Sequence, residues 1–206
     1  MATETALRAD AARNRRRLIE AAARVCADQG MDACVDDIAR EAGVGIGTLY
    51  RRFPTKDDLI AAVLDDRFGT VEAAVADAAQ DEDPWRALER AMAAFAEAAL
   101  LHLALVHKIA YTGSQAAAMH QAKDRIAARF DAILARAREA GVVREDVVAR
   151  DAMALSGMIS RIPAWQLEQE PEIWRRYLAL MLDGLRPQGA RPLPHPPSQA
   201  VAPFKR

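Results

Sequence analysis

Between Val35 and Phe53 the chain reads VDDIAREAGVGIGTLYRRF, two short apolar stripes of helical period separated by a glycine-containing turn. Val35, Ile38, Ala39 and Ala42 share one helix face, and Gly43 supplies a left-handed exit. A second helix is expected to open near Gly45 and to end at Phe53, because Pro54 disfavours helical geometry at the residue before it. Two short helices joined by AGVG have the proportions of a helix-turn-helix, and Ala39 is small enough for the second to cross closely. Leu49 and Phe53 then face inward, leaving Thr48, Arg51 and Arg52 to solvent or to a ligand.

The flanks are helical too. A first helix is expected from about Ala12 to Gln29, with Leu18, Ala22 and Val25 on its stripe, Ile19 and Cys26 beside it and Gly30 as its stop. Thr55 caps a fourth helix, Asp58 completing an approximate capping box, and Leu59, Val63 and Leu64 begin a stripe that runs to about Ala79. QDEDP at 80–84 then breaks the chain. Further helices are expected at about 84–101, 102–110, 116–140, 146–162 and 171–186, with breaks at YTGS, GVVRED and PAWQLEQEP.

A length of 206 residues allows a small module joined to a larger one, and a hydrophobic fraction of 51% with only 5% aromatics suits packed helices. The expectation is an all-α chain of about nine helices. Its parts are a flexible arm (1–12), a helix-turn-helix module (13–79), a larger helical domain (84–186) and a disordered tail (187–206) holding six of the ten prolines.

Formal net charge is −1, so a polyanionic partner has to be argued from local clusters, RNRRR at 13–17 and RRFPTK at 51–56. Cys26 and Cys34 make no disulfide framework and have no metal-ligand spacing, which fits a reducing cytoplasm. No signal peptide or membrane span is expected; the longest apolar run, AALLHLALVHKIA, is interrupted by His102, His107 and Lys108.

In a helix-turn-helix the amino-terminal part of the second helix enters the major groove. Gly45 and Gly47 remove bulk at that end, where backbone N–H groups can meet phosphate oxygens, at about 1 kcal/mol of helix propensity per interior glycine. Tyr50 can give its hydroxyl to a phosphate, Arg51 or Arg52 can reach a phosphate or a guanine edge, and Ile46 can touch a thymine methyl. Arg15 and Arg16, in the basic run ahead of the module, are further candidates.

From about Arg13 to Asp66 the chain resembles the TetR-type bacterial transcriptional regulators, most specifically in VDDIAREAGV followed by GTLYRRFPTKDDL. The resemblance implies that Thr48 and Tyr50 touch DNA, that Lys56 meets a phosphate, and that Arg51 and Arg52 help to set operator preference. Cys34 stands where Ser or Thr usually caps the second helix, and Gly45 where Ser is common; each removes a hydroxyl contact to DNA.

Specific binding usually joins two such modules on two half-sites. The helix 171–186 is apolar over about 200° of arc, more than one core-facing stripe needs. A homodimer is expected through the last two helices, as the resemblance also implies, with Val148, Leu155, Met158, Ile159 and Ile162 from one and Trp174, Tyr177, Leu178, Met181 and Leu185 from the other. By the same resemblance the middle helices enclose a small-molecule effector, with Phe95, His102, His107, Tyr111, Met119, His120 and Phe130 as candidate lining.

No enzyme activity, cofactor or metal is expected. His102 and His107 stand about 140° apart on a helix, and the chain has no phosphate-cradling glycine loop and no nucleophile elbow. The expected function is a cytoplasmic, homodimeric, ligand-responsive regulator, a repressor on a near-palindromic operator. The rival is a helical ligand-binding or scaffold protein with a degenerate DNA module, supported by Cys34, Gly45 and the balanced charge.

Overall fold

The computed structural model describes residues 2–29, 33–108 and 114–197, with side chains except at 2–9, 101–108, 114–116 and 118. Regular structure among them is helical throughout: α1 (Ala2–Gln29), α2 (Val35–Ala42), α3 (Ile46–Arg52), α4 (Lys56–Ala78), α5 (Pro84–Lys108), α6 (Ser114–Glu139), α7 (Ala149–Met158) running into a 3₁₀ turn (Ile159–Arg161), α8 (Ala164–Gln169) and α9 (Ile173–Asp183). Contacts divide the chain into two compact units, Met1–Phe68 with Ala104–Gln121, and Gly69–Leu103 with Ala122–Arg206. The helices α4, α5 and α6 each lend residues to both.

In the first unit Leu18, Ile19, Ala22 and Cys26 of α1 join Ile38, Ala39 and Ala42 of α2, Leu49 of α3, Phe53, and Leu59, Ile60, Val63 and Leu64 of α4 in one buried cluster. Burying a leucine or phenylalanine contributes roughly 1.5–3 kcal/mol. Leu49 and Phe53 together therefore outweigh the roughly 1 kcal/mol that Gly47 costs α3. The turn between α2 and α3 closes as a Schellman motif: Gly43, at φ 62°, donates to the Arg40 carbonyl (3.0 Å) and Val44 to that of Ala39 (3.0 Å). Thr55 and Asp58 form the expected capping box, each backbone N–H donating to the other's side-chain oxygen at 3.1 Å.

In the second unit an ionic knot fixes the turn at residues 79–83. Asp81 accepts from Arg86 Nε and Nη2 (2.7 and 2.8 Å) and from Arg90 (3.3 Å), and Arg90 also reaches Asp77 (2.7 Å). These guanidiniums, Arg86 first, hold the Asp81 carboxyl well below the usual carboxylate range. Arg136 of α6 donates to the carbonyls of Ala79 and Asp81, both at 2.7 Å, and so pins the turn that follows α4. Arg125 of α6 pairs with Glu72 of α4 at 2.8 Å.

Several boundaries differ from expectation. The helix α1 begins ten residues before Ala12, because ATETALRADA is made largely of good helix formers. Instead of two helices there is one, α5, since neither Gly nor Pro interrupts 85–108. The expected break PAWQLEQEP holds α8, a helix too short to show a period; Pro163 at its N-cap has a φ of −57°, which suits a helix entry. Gly30, residues 109–110 of the expected helix 102–110, residues 111–113 of the YTGS break, and 198–206 of the tail lie outside the described residues. Over 187–197 the proline-rich segment has no helix or strand but is tethered: Arg144, held by Asp146 at 2.5 and 2.8 Å, donates to the Arg191 carbonyl at 2.6 Å.

Candidate nucleic-acid interface

The seven residues of α3 divide cleanly between inside and outside. Leu49 is fully buried, while Ile46 and Tyr50, one helical turn apart, are 39% and 48% exposed. Gly45, Gly47, Arg51 and Arg52 are exposed as well, and Thr48 is half-buried. An isoleucine and a tyrosine left this exposed beside two arginines stand outside the protein's own core.

The two glycines on this surface are not there for the fold. A β-carbon added at Gly45 or Gly47 would meet nothing within 4 Å, and positive φ is confined to other glycines. Gly43 differs: its φ is left-handed, and an added β-carbon would sit 2.7 Å from Arg17 Nη2. The same Arg17 nitrogen donates to the Gly43 carbonyl at 3.4 Å. Arg24 of α1 pairs with Glu41 of α2 at 2.9 Å, so α1 grips the end of α2 and the turn that follows it. These gripping residues escaped the sequence reading because their partners lie 17 and 26 positions away, a separation with no local periodicity to betray it.

Around α3 the candidate residues take distinct settings. Arg15 places its guanidinium 5.9 Å from the centre of the Phe53 ring, a cation–π contact at the end of α3. Arg16 is exposed and pairs loosely with Glu20 at 3.7 Å. Arg51 donates from Nη2 to Thr48 Oγ1 at 3.1 Å. Lys56 is half-buried at the start of α4, and its charge partly offsets the rise that burial imposes on the Cys26 thiol. Cys34 is exposed at the N-cap of α2 and makes no capping bond; its sulfur stands 3.8 Å from Asp36 Oδ2.

The expected effector lining is only partly within view. Phe95 and Phe130 meet edge-to-face with ring centres 6.1 Å apart, Phe130 fully buried. Met119 is buried and His120 half-buried. Tyr111 and the side chains of His102 and His107 lie outside the described residues.

The expected pairing face needs redistribution. Ile159, Trp174, Leu178 and Leu185 are buried within their own chain and so are core residues; α9 turns the stripe Trp174, Leu178, Leu182 inward, and Leu185 follows just past its end. Val148, Leu155, Ile162, Tyr177 and Met181 are half-buried. Met158, expected on this face, is exposed, and the other large apolar side chains that these helices turn outward are Leu180 and, missed in the sequence, Trp165 on α8, which is 61% exposed. Trp165 escaped notice because α8 did. Gln166 beside it donates to the Tyr177 hydroxyl at 2.6 Å, tying α8 to α9.

Among the described residues, no three His, Cys, Asp or Glu side chains are placed to share a metal ion, and no helix is long and apolar enough to cross a membrane.

Comparison with known proteins adds to this geometry. Residues 18–63 match the family model described as bacterial regulatory proteins, tetR family, and residues 83–187 match that of the transcriptional regulator SbtR-like C-terminal domain. The chain is 35% identical to the TetR transcription regulatory protein from Mycobacterium vanbaalenii, over 87% of this chain and 99% of that one, with a TM-score of 0.66. It is 31% identical to the TetR transcriptional regulator SCO0520 from Streptomyces coelicolor, over 84% and 98% of the two chains, with a TM-score of 0.64. It is also 41% identical over 59 residues to an HTH-type transcriptional regulator of Staphylococcus aureus; the match covers 28% of this chain and 32% of that protein, about a third of its length.

Proposed function

The chain belongs to the tetR family of bacterial regulatory proteins, and on that footing we propose that it is a cytoplasmic homodimer that represses transcription from a near-palindromic operator and is released by a small-molecule effector. It is a transcriptional regulator with a helix-turn-helix DNA-binding domain. The observation that carries the finer reading is the outward side of α3, where Ile46, Tyr50, Arg51 and Arg52 stand around two glycines that the fold does not require.

In this reading Gly45 and Gly47 let the backbone approach the groove and Ile46 meets a thymine methyl. Tyr50, Thr48 and Lys56 contact phosphates, Arg51 and Arg52 supply base and phosphate contacts, and Arg15 and Arg16 add to the positive surface. Cys34 approaches the backbone without the hydroxyl contact that Ser or Thr would make.

Two copies supply the two half-sites, paired through an apolar surface that includes Met158, Leu180 and Trp165 with the half-buried Tyr177 and Met181. The effector is proposed to bind among the middle helices, with Phe95 and Phe130 in the wall. Its effect requires a higher affinity for the DNA-incompetent state, because a ligand that binds both states equally shifts nothing. The helices α4, α5 and α6, each with residues in both units, are the covalent links along which such a preference can act.

The test is salt-titrated binding to the intergenic DNA beside the protein's own gene. Affinity should fall steeply with salt, by about 0.9 in log–log slope for each phosphate neutralised, and Arg51→Ala and Lys56→Ala should each weaken it further. Binding indifferent to salt and to both substitutions would overturn the reading.

A further inference from the structure

We infer that Arg51 is the guanine-reading residue of α3 and that Thr48 is its positioning residue, the Thr48 hydroxyl oxygen aiming the guanidinium toward the leading end of the helix. The inference rests on the reading of α3 as the groove-entering helix and goes further by assigning which of two adjacent arginines reads a base and what orients it.

Three observations converge. Arg51 donates from Nη2 to Thr48 Oγ1 at 3.1 Å, a bond directed back by three residues. Helical side chains already lean toward the amino terminus, so this bond draws the guanidinium over the first turn of α3, the turn that enters a major groove. Residue 47, one turn before Arg51 and on the same face, is a glycine whose β-position opens onto empty space. The path from Arg51 to the leading end is therefore clear. Arg52 is also exposed, and among the described residues its guanidinium has no hydrogen bond or ion pair to hold it.

The donor count permits both tasks. A guanidinium has five N–H donors in one plane; the bond to Thr48 uses one, and the remaining four include a pair suited to guanine O6 and N7. Thr48 accepts from Arg51 and keeps its own O–H hydrogen, which is free to donate to a phosphate. A threonine that touches only phosphate changes affinity for every sequence alike, whereas a positioning threonine changes the preference for one base.

The experiment uses the full chain. An operator selected from random duplexes is varied one base pair at a time, and binding is measured by fluorescence anisotropy for wild type, Thr48→Val, Thr48→Ser, Arg51→Ala and Arg52→Ala, with circular dichroism confirming the fold. Wild type should prefer guanine at one position of each half-site by roughly tenfold or more. Arg51→Ala should erase that preference and Arg52→Ala should weaken all sequences alike. Thr48→Val should reduce the guanine preference roughly fivefold without changing the salt slope, and Thr48→Ser should retain it. If Thr48→Val does not fold, Thr48→Ala makes the same comparison without added bulk.

The inference is overturned if Arg52→Ala erases the guanine preference, if Arg51→Ala leaves it intact, if wild type shows no such preference at any position, or if losing the Thr48 hydroxyl weakens every sequence equally. A wild-type chain that selects no sequence at all overturns the operator reading itself, which distinguishes that failure from the others.

Discussion

The Arg17 guanidinium lies against Gly43, its Nη2 atom only 2.7 Å from where a β-carbon on that glycine would stand. The arginine of α1 and the glycine of the turn are thus mutually fitted, and the turn in turn sets where α3 points. Gly43 is also left-handed, so a side chain there is strained however far Arg17 gives way.

Gly43→Ala should therefore lower stability by about 1–2 kcal/mol from the left-handed backbone, the flexible tip of Arg17 moving aside at little cost. Urea unfolding measures it, and a loss under about 0.5 kcal/mol would show that the turn relaxes freely.

Gly47→Ala should do the opposite to the fold. Its β-carbon meets no neighbour, and alanine improves helix propensity by up to about 1 kcal/mol. Stability should rise while operator affinity falls, since the added methyl stands on the surface proposed to approach DNA. A variant that gains in both would refute the clearance role assigned to this glycine.

The Asp81 knot should appear in acid. Its folded pKa is depressed, so its contribution is fully present above the unfolded value of about 3.9 and is lost as pH falls through the folded value. Unfolding free energy measured between pH 5 and 2 should decline more steeply for wild type than for Asp81→Asn, which should already be weaker at pH 7. Parallel curves would remove Asp81 from the account of acid stability.

Leu180→Glu and Trp174→Ala should separate pairing from folding. Leu180 is exposed, so a charge there should dissociate the proposed dimer in sedimentation experiments and leave the helical content intact. Trp174 is buried in its own chain, so its truncation should cost about 3–5 kcal/mol of stability. A Leu180→Glu protein that sediments like wild type would move the pairing surface elsewhere.

What the residue order determined by itself is whatever depends on neighbours within about five positions. The bounds of α2 and α3, the left-handed exit at Gly43, the stop before Pro54 and the Thr55–Asp58 box all follow from local hydrogen bonding and sterics, and all stand where sequence reasoning put them. The division of α3 into a buried Leu49 and an exposed Tyr50 was equally legible, because Leu49 and Phe53 mark a single apolar side on so short a helix. Tertiary structure alone decided the rest. The helix α9 carries apolar residues over so wide an arc that its sequence names no inner face, and only packing selected Trp174 and Leu178 over Leu180. The partners of Arg17, Arg24 and Arg136 stand 17 to 57 positions away, and a long side chain on a helix surface advertises no address until folding brings one within reach.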